Sequence, residues 1–165
     1  MKRTWIAWGV AMLICVAFVI LIKYFFPVPR ILNVEFATTR QYMLEHILAG
    51  QSSQEVAFNT LKMNTILDFG FIIGYSLLTF FSLKIILDVF QLTLRNWVYV
   101  IAFTAGVFDV LENIFLIHVA TTGLTEPSLF FIWVVRLKWA TAIVPLLVIP
   151  VVLVYSLIIL LRTRQ

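Results

Sequence analysis

The chain has 165 residues, of which 62% are hydrophobic and only 12% charged, with a mean hydropathy of +1.05. That composition excludes an ordinary soluble domain, whose apolar share is nearer one half. The formal charge of +4 comes without a basic patch carrying interleaved stacking aromatics, so no nucleic-acid partner is expected; it suits a chain whose basic residues sit at the cytoplasmic ends of membrane helices.

The first element covers about residues 4–26. Lys2 and Arg3 precede a long apolar run, which exceeds a signal peptide's core and is followed by no small-residue cleavage pattern. An uncleaved spanning helix is expected, ended by Pro27 and Pro29, with Tyr24, Phe25 and Phe26 as an interfacial belt. Cys15, the single cysteine, lies in this run. It excludes an intramolecular disulfide or a thiolate zinc site and reads as a small packing residue.

Residues 31–64 form a polar segment with balanced signs, expected outside the bilayer. Thr38 to Gln41 offers an N-cap with Gln at N3, and Gly50 offers a stop. Between them Tyr42, Met43, Leu44, Ile47 and Leu48 fit a short amphipathic helix lying on a surface. Ser52 and Glu55 form a second capping box, and no Gly or Pro follows until Gly70. The second spanning helix, about residues 65–91, is therefore expected to begin outside the membrane. Its Gly70 and Gly74 form a G-x-x-x-G that permits close helix approach. Lys84 and Asp88 stand at i, i+4 and are expected to pair.

After a turn with Arg95 and Asn96, the third span covers about residues 97–119. A turn containing Gly123 and Pro127 leads to the fourth, about residues 129–161. That last run is longer than a bilayer core requires, so it either tilts and projects or begins with a short separate piece; Pro145 and Pro150 permit kinks. The fold expected is an all-α integral membrane protein, a four-transmembrane-helix bundle in one domain with a short helical external segment between helices 1 and 2. Lys2, Arg3, Arg95, Arg162 and Arg164 fall on one side of such a bundle, which places both termini in the cytoplasm.

The third span carries Asp109, Glu112 and Asn113 at i, i+3 and i+4, on one helix face. Carboxylates at membrane depth are costly and face a protein interior or a wet cavity with partners. Alternating helix directions bring Asp68 and Tyr75 of the second span, and Arg136 and Lys138 of the last, to the same outer half. Asp68, Asp109 and Glu112 nearly balance Arg136 and Lys138, as a low-dielectric site requires. Lys138 is the expected internal counter-ion, because Arg136 can snorkel outward. Two ionised carboxylates one turn apart repel, so Asp109 and Glu112 call for a proton, a cation or Lys138 between them. Trp133, Trp139 and Tyr75 are candidate walls of a pocket. His46 and His118 lack a metal- or haem-ligating spacing, and no metal or cofactor is expected.

Three stretches resemble a family of small four-span bacterial inner-membrane proteins: Asp68-Phe-Gly-Phe-Ile-Ile-Gly-Tyr75, the A-G-x-x-D-x-x-E-N signature Ala105-Gly106-Val-Phe-Asp109-Val-Leu-Glu112-Asn113, and Lys138-Trp139. The likeness covers most of residues 31–140 and implies these site residues, but no reaction type. Three functions follow from the residues. The first is a pocket in the outer half of the bundle that binds a cation, a small polar molecule or a lipid headgroup through Asp68, Tyr75, Asp109, Glu112, Asn113 and Lys138. The second is an intramembrane enzyme on a lipid or isoprenoid-like substrate, with Asp109 or Glu112 as general acid or base. The third is an accessory subunit in which the polar network is structural glue. The expected partners are the lipid bilayer and a lipid or small-molecule ligand, and a homo-oligomer is compatible with the sequence.

Overall fold

The computed structural model describes residues 2–28, 31–91, 97–123 and 126–162, and every regular element among them is a helix. In chain order these are α1 (Lys2–Phe25), α2 (Ile31–Glu35), α3 (Arg40–Leu48), α4 (Gln54–Val89), α5 (Trp97–Thr122) and α6 (Leu129–Arg162). Four of them, α1, α4, α5 and α6, are long and apolar enough to cross a membrane. Pro29, Arg30, Arg95, Asn96 and Arg164, on which the sequence rests a helix end, a turn and part of the orientation, lie outside the described residues.

The long helices run antiparallel to their chain neighbours. On the α1–α4 seam Trp8 Nε1 donates to Ser82 Oγ at 2.8 Å, and near the other end Asn64 Nδ2 donates to the Phe26 carbonyl at 2.8 Å. Between these anchors a Cβ at Gly70 would run into the Phe18 ring, and one at Gly74 would meet Cys15 Sγ and Ile14 Cγ2 at 3.0 Å. The G-x-x-x-G is thus a packing seam, and Cys15 is buried in it. The α4–α5 seam has the same character: Ala105 is buried, and a Cβ on Gly106 would strike Ser76 Oγ.

α4 has 36 residues, about 54 Å of helix and well beyond a bilayer core. Its first turns stand clear of the bundle's middle, as the uninterrupted sequence after Ser53 predicts. α6 is a single helix of 34 residues that carries Pro145 and Pro150 inside it, so no separate initial piece exists. Each proline lacks the N–H that would bond the carbonyl four residues earlier, at Thr141 and Leu146. Ser128 starts this helix, its Oγ accepting from the Phe131 amide at 3.1 Å.

Both predicted caps sit one residue later than the sequence suggests. Thr39 accepts from the Tyr42 amide and Ser53 from the Val56 amide, each at 3.3 Å. Thr38-Thr39 and Ser52-Ser53 each offer two hydroxyls in succession, and the second of each pair holds the extended backbone of a cap. Gln41 and Glu55 are therefore not at N3, and the reciprocal half of the capping box is not made. Gly50, with φ of 75°, follows α3 in the left-handed conformation expected of its stop.

α3 packs its apolar face against the bundle. Met43, His46 and Ile47 are buried, and Met43 and Ile47 share an apolar cluster with Val34, Leu61, Leu116, Val119, Phe131 and Val135. The segment finds its apolar partner in the ends of α4, α5 and α6, which it caps. A second cluster, Trp8, Ala11, Cys15, Leu78, Ile85 and Val152, fills the opposite half. Around the outside the polarity is inverted relative to a soluble bundle. Val100, Phe103, Val107, Leu111 and Ile114 make an exposed stripe along α5, and Ile6, Val10 and Leu13 do so on α1.

The expected Lys84–Asp88 pair is absent from the ion pairs of the described residues. Lys84 is half-buried and Asp88 exposed. With the base N-terminal to the acid the i, i+4 order is the weaker one, and an exposed pair gains little.

Candidate functional site

Between the two apolar clusters, towards the capped end, the polar side chains converge on Lys138. Its Nζ lies 2.7 Å from Glu112 Oε2, 2.9 Å from Glu35 Oε2 and 3.2 Å from Asp109 Oδ1. Helix spacing explains how α5 supplies two of these: Asp109 and Glu112 are one turn apart on the face that meets α6. The ammonium stands between them, which relieves their mutual repulsion. The Glu112 contact lacks a well-angled hydrogen bond, so charge carries it. Lys138 Nζ also lies 5.3 Å from the centre of the Trp139 ring.

Two further bonds tie α4 into the cluster. Tyr75 Oη donates to Asp109 Oδ2 at 2.6 Å, and Asn113 Nδ2 donates to Asp68 Oδ2 at 2.9 Å. Gly106 stands one turn before Asp109, and the absence of its Cβ lets α4 come close enough for the Tyr75 hydroxyl to reach. The small-residue start of the A-G-x-x-D-x-x-E-N stretch and its acidic part thus serve one contact.

The structure brings all six residues singled out from sequence into this cluster and sorts them into two groups. Asp68, Tyr75, Asp109 and Lys138 line a cavity of about 470 Å³. Glu112 and Asn113 do not line it; they are 1% and 3% exposed and brace its wall from behind. Of the two candidate acid–base residues, Asp109 therefore borders the open volume and Glu112 does not.

Two sequence expectations about this cluster need correction. Arg136 is exposed, with its guanidinium 5.5 Å from the centre of the Trp133 ring, and takes no part in balancing the acids. Trp133 is 58% exposed and, unlike Tyr75 and Trp139, is not part of the cavity wall. Both face outward because three- and four-residue steps from Lys138 point the inward face elsewhere.

The residue that sequence reasoning missed is Glu35. It ends α2, which folds back over the bundle so that Glu35 Oε2 accepts from both Lys138 Nζ, at 2.9 Å, and Trp139 Nε1, at 3.2 Å. In the sequence it is one of several acids in a charge-balanced segment. The one available signal is its setting among Ile31, Leu32, Val34, Phe36 and Ala37, which marks a packed rather than a solvated stretch.

No family model, no curated protein and no solved structure matches this chain. The chemistry of the site rests on its own geometry.

That geometry is two-ended. At the capped end the cavity is walled by Glu35, Asp68, Tyr75, Asp109, Lys138 and Trp139. From there Ala142, Pro145, Leu146, Ile149 and Pro150 continue the wall along α6, while Phe71 adds an aromatic side chain beside Tyr75 on α4. The run from Lys138 to Pro150 extends about 18 Å along the helix axis. Leu146 is 64% exposed while lining it, so the apolar part is a groove open to the bundle's outside. Among the described residues no group of histidine, cysteine and carboxylate side chains is arranged to hold a metal ion.

Proposed function

We propose that this chain is a membrane protein that binds an amphiphile, with a polar head among Glu35, Asp68, Tyr75, Asp109 and Lys138 and a single apolar chain along α6. The observation that carries the reading is the continuity of the cavity: a charged end and an apolar groove share one volume. A free cation or small polar solute would use the first and leave the second unexplained. Ligand sites of this size are mostly apolar with a few fixed polar groups that set orientation, and a groove open along a spanning helix admits a lipid sideways without its leaving the bilayer. Glu112 and Asn113 act here as the structural glue, holding the lining residues in place.

In this reading the capped end faces the outer leaflet and both termini lie in the cytoplasm. Lys2 and Arg3 support that orientation, as does the mixed charge of the capped side, where Arg40 and Lys62 are accompanied by Glu45, Glu55 and Glu126. The likeness of the A-G-x-x-D-x-x-E-N stretch to small bacterial four-span proteins supports a bacterial inner membrane.

The test is lipid retention by the full chain purified in a mild maltoside detergent. Native mass spectrometry of the wild type is expected to show one co-purified amphiphile per chain. Leu146→Trp, which fills the groove from its exposed side, is expected to keep the thermal midpoint and lose the adduct. Equal retention by both proteins, or a wild type without any adduct at gentle activation, overturns the reading.

A further inference from the structure

We infer that the head of this amphiphile carries a positive charge, as an ammonium group; the inference rests on the amphiphile reading above. The charge balance around the cavity is one-sided. Glu35, Asp68, Asp109 and Glu112 are four carboxylates, and among the described residues Lys138 is the one base that meets any of them. Among the described residues no second cationic side chain lies within 4.0 Å of these carboxylates. Arg136, the remaining basic residue on this stretch of α6, is turned outward over Trp133. A carboxylate taken from water costs several kcal/mol unless it is paired, so a second cation is what the wall lacks.

Lys138 cannot itself serve an anionic head. Its ammonium donates to Glu35 Oε2 and lies within 3.2 Å of Glu112 and Asp109 as well, so its charge is already shared among three carboxylates. A phosphate or carboxylate entering the cavity would meet Asp68, Asp109 and Glu35 with only that shared charge to offset them. An ammonium would meet acceptors. It would also meet aromatic faces: Phe71 and Tyr75 stand together on the α4 wall with ring centres 5.3 Å apart, and Trp139 already has one ammonium over its ring. Carboxylates set among aromatic rings form the usual environment for primary and quaternary ammonium groups.

The experiment uses the full chain in maltoside micelles and five probes: dodecyltrimethylammonium, dodecylamine, dodecyl phosphate, dodecanol, and ethanolamine as an amine without a chain. The readout is the concentration that gives half of the maximal rise in thermal midpoint, with native mass spectrometry counting bound probe. Both alkylammonium compounds are expected to act at concentrations about tenfold or more below dodecanol, with dodecyl phosphate weaker still and ethanolamine inactive. Glu35→Gln, in α2 and outside the spanning helices, is expected to weaken the ammonium probes several-fold and leave dodecanol unchanged. Asp109→Asn should do the same if it folds, and Glu35→Gln keeps the test decisive if it does not. Dodecyl phosphate or dodecanol binding as tightly as the ammonium compounds overturns the charge assignment and leaves the amphiphile reading intact. Ethanolamine acting as well as dodecylamine upholds the charge and overturns the lipid source. If no chain-bearing probe shifts the midpoint of the wild type, or if the probes shift Leu146→Trp equally, the amphiphile reading falls with it.

Discussion

Lys138 ties three helices together. It joins α6 to α5 through Glu112 and Asp109 and to α2 through Glu35. Removing a cation from such a cluster leaves buried carboxylates facing one another. Lys138→Met should therefore destabilise the fold by about 3–5 kcal/mol, read as a lower thermal midpoint and poor recovery in detergent. Glu112→Gln alone should cost less, because Glu35 and Asp109 still meet the lysine. In the double variant Lys138→Met/Glu112→Gln the loss should be smaller than the sum of the two, and strict additivity would show that the contact carries no coupling. The core of this cluster was legible because α5 places Asp109, Glu112 and Asn113 on one helical face, and helix rise brings Asp68, Tyr75 and Lys138 to their depth. Glu35 was not, since its approach depends on α2 folding back over the bundle, and no periodicity in a five-residue helix encodes that.

At the scale of the helices, contact is decided by what is missing. Gly70, Gly74 and Gly106 each stand where a Cβ would meet a neighbouring helix. At Gly74 the nearby atoms include the Cys15 backbone nitrogen, at 3.2 Å, which cannot swing aside as a side chain does. Gly74→Val should separate α1 from α4 and cost about 1–3 kcal/mol, while leaving lipid retention by the α4–α6 cavity largely unchanged. Loss of retention at an unchanged midpoint would show instead that α1 acts on the cavity. The glycine spacing announced a close approach but not its partner, since any helix can present a flat face to a G-x-x-x-G. The starts of α3 and α4 were legible to within one residue. Where two hydroxyl residues stand in succession, either can cap, and only the path of the incoming chain selects the second.

As a whole the molecule is a bundle that buries the Lys138 cluster between two apolar clusters and turns broad apolar stripes outward. Four spans, a polar loop and a shared depth for the ionisable groups could all be read from the chain, because helix rise and bilayer thickness constrain them together. The groove along α6 could not. It opens along Ala142, Pro145, Leu146 and Ile149, and hydrophobicity alone does not tell a groove-lining side chain from a packed one. Its openness has a physical corollary: with Leu146 64% exposed, a bulky residue there should be accommodated without unfolding, whereas the same change at Val152, which is fully buried, should not.

The clasp on Lys138 also bears on how the chain is made. Asp109 and Glu112 emerge in α5 before Lys138 follows in α6, and each charged group near the centre of an isolated span opposes insertion by about 2.5–3.5 kcal/mol. Entering singly, each helix bears that cost unpaired; as a hairpin they arrive with opposite charges at matching depth. A chain truncated before α6 should leave α5 poorly inserted, scored by a glycosylation or protease-protection reporter in the turn that follows it. Restoring residues 126–162 should rescue it, and restoring them with Lys138→Met should not. The ion cluster that shapes the cavity in the finished protein would then be, during synthesis, the reason its last two helices must be delivered together.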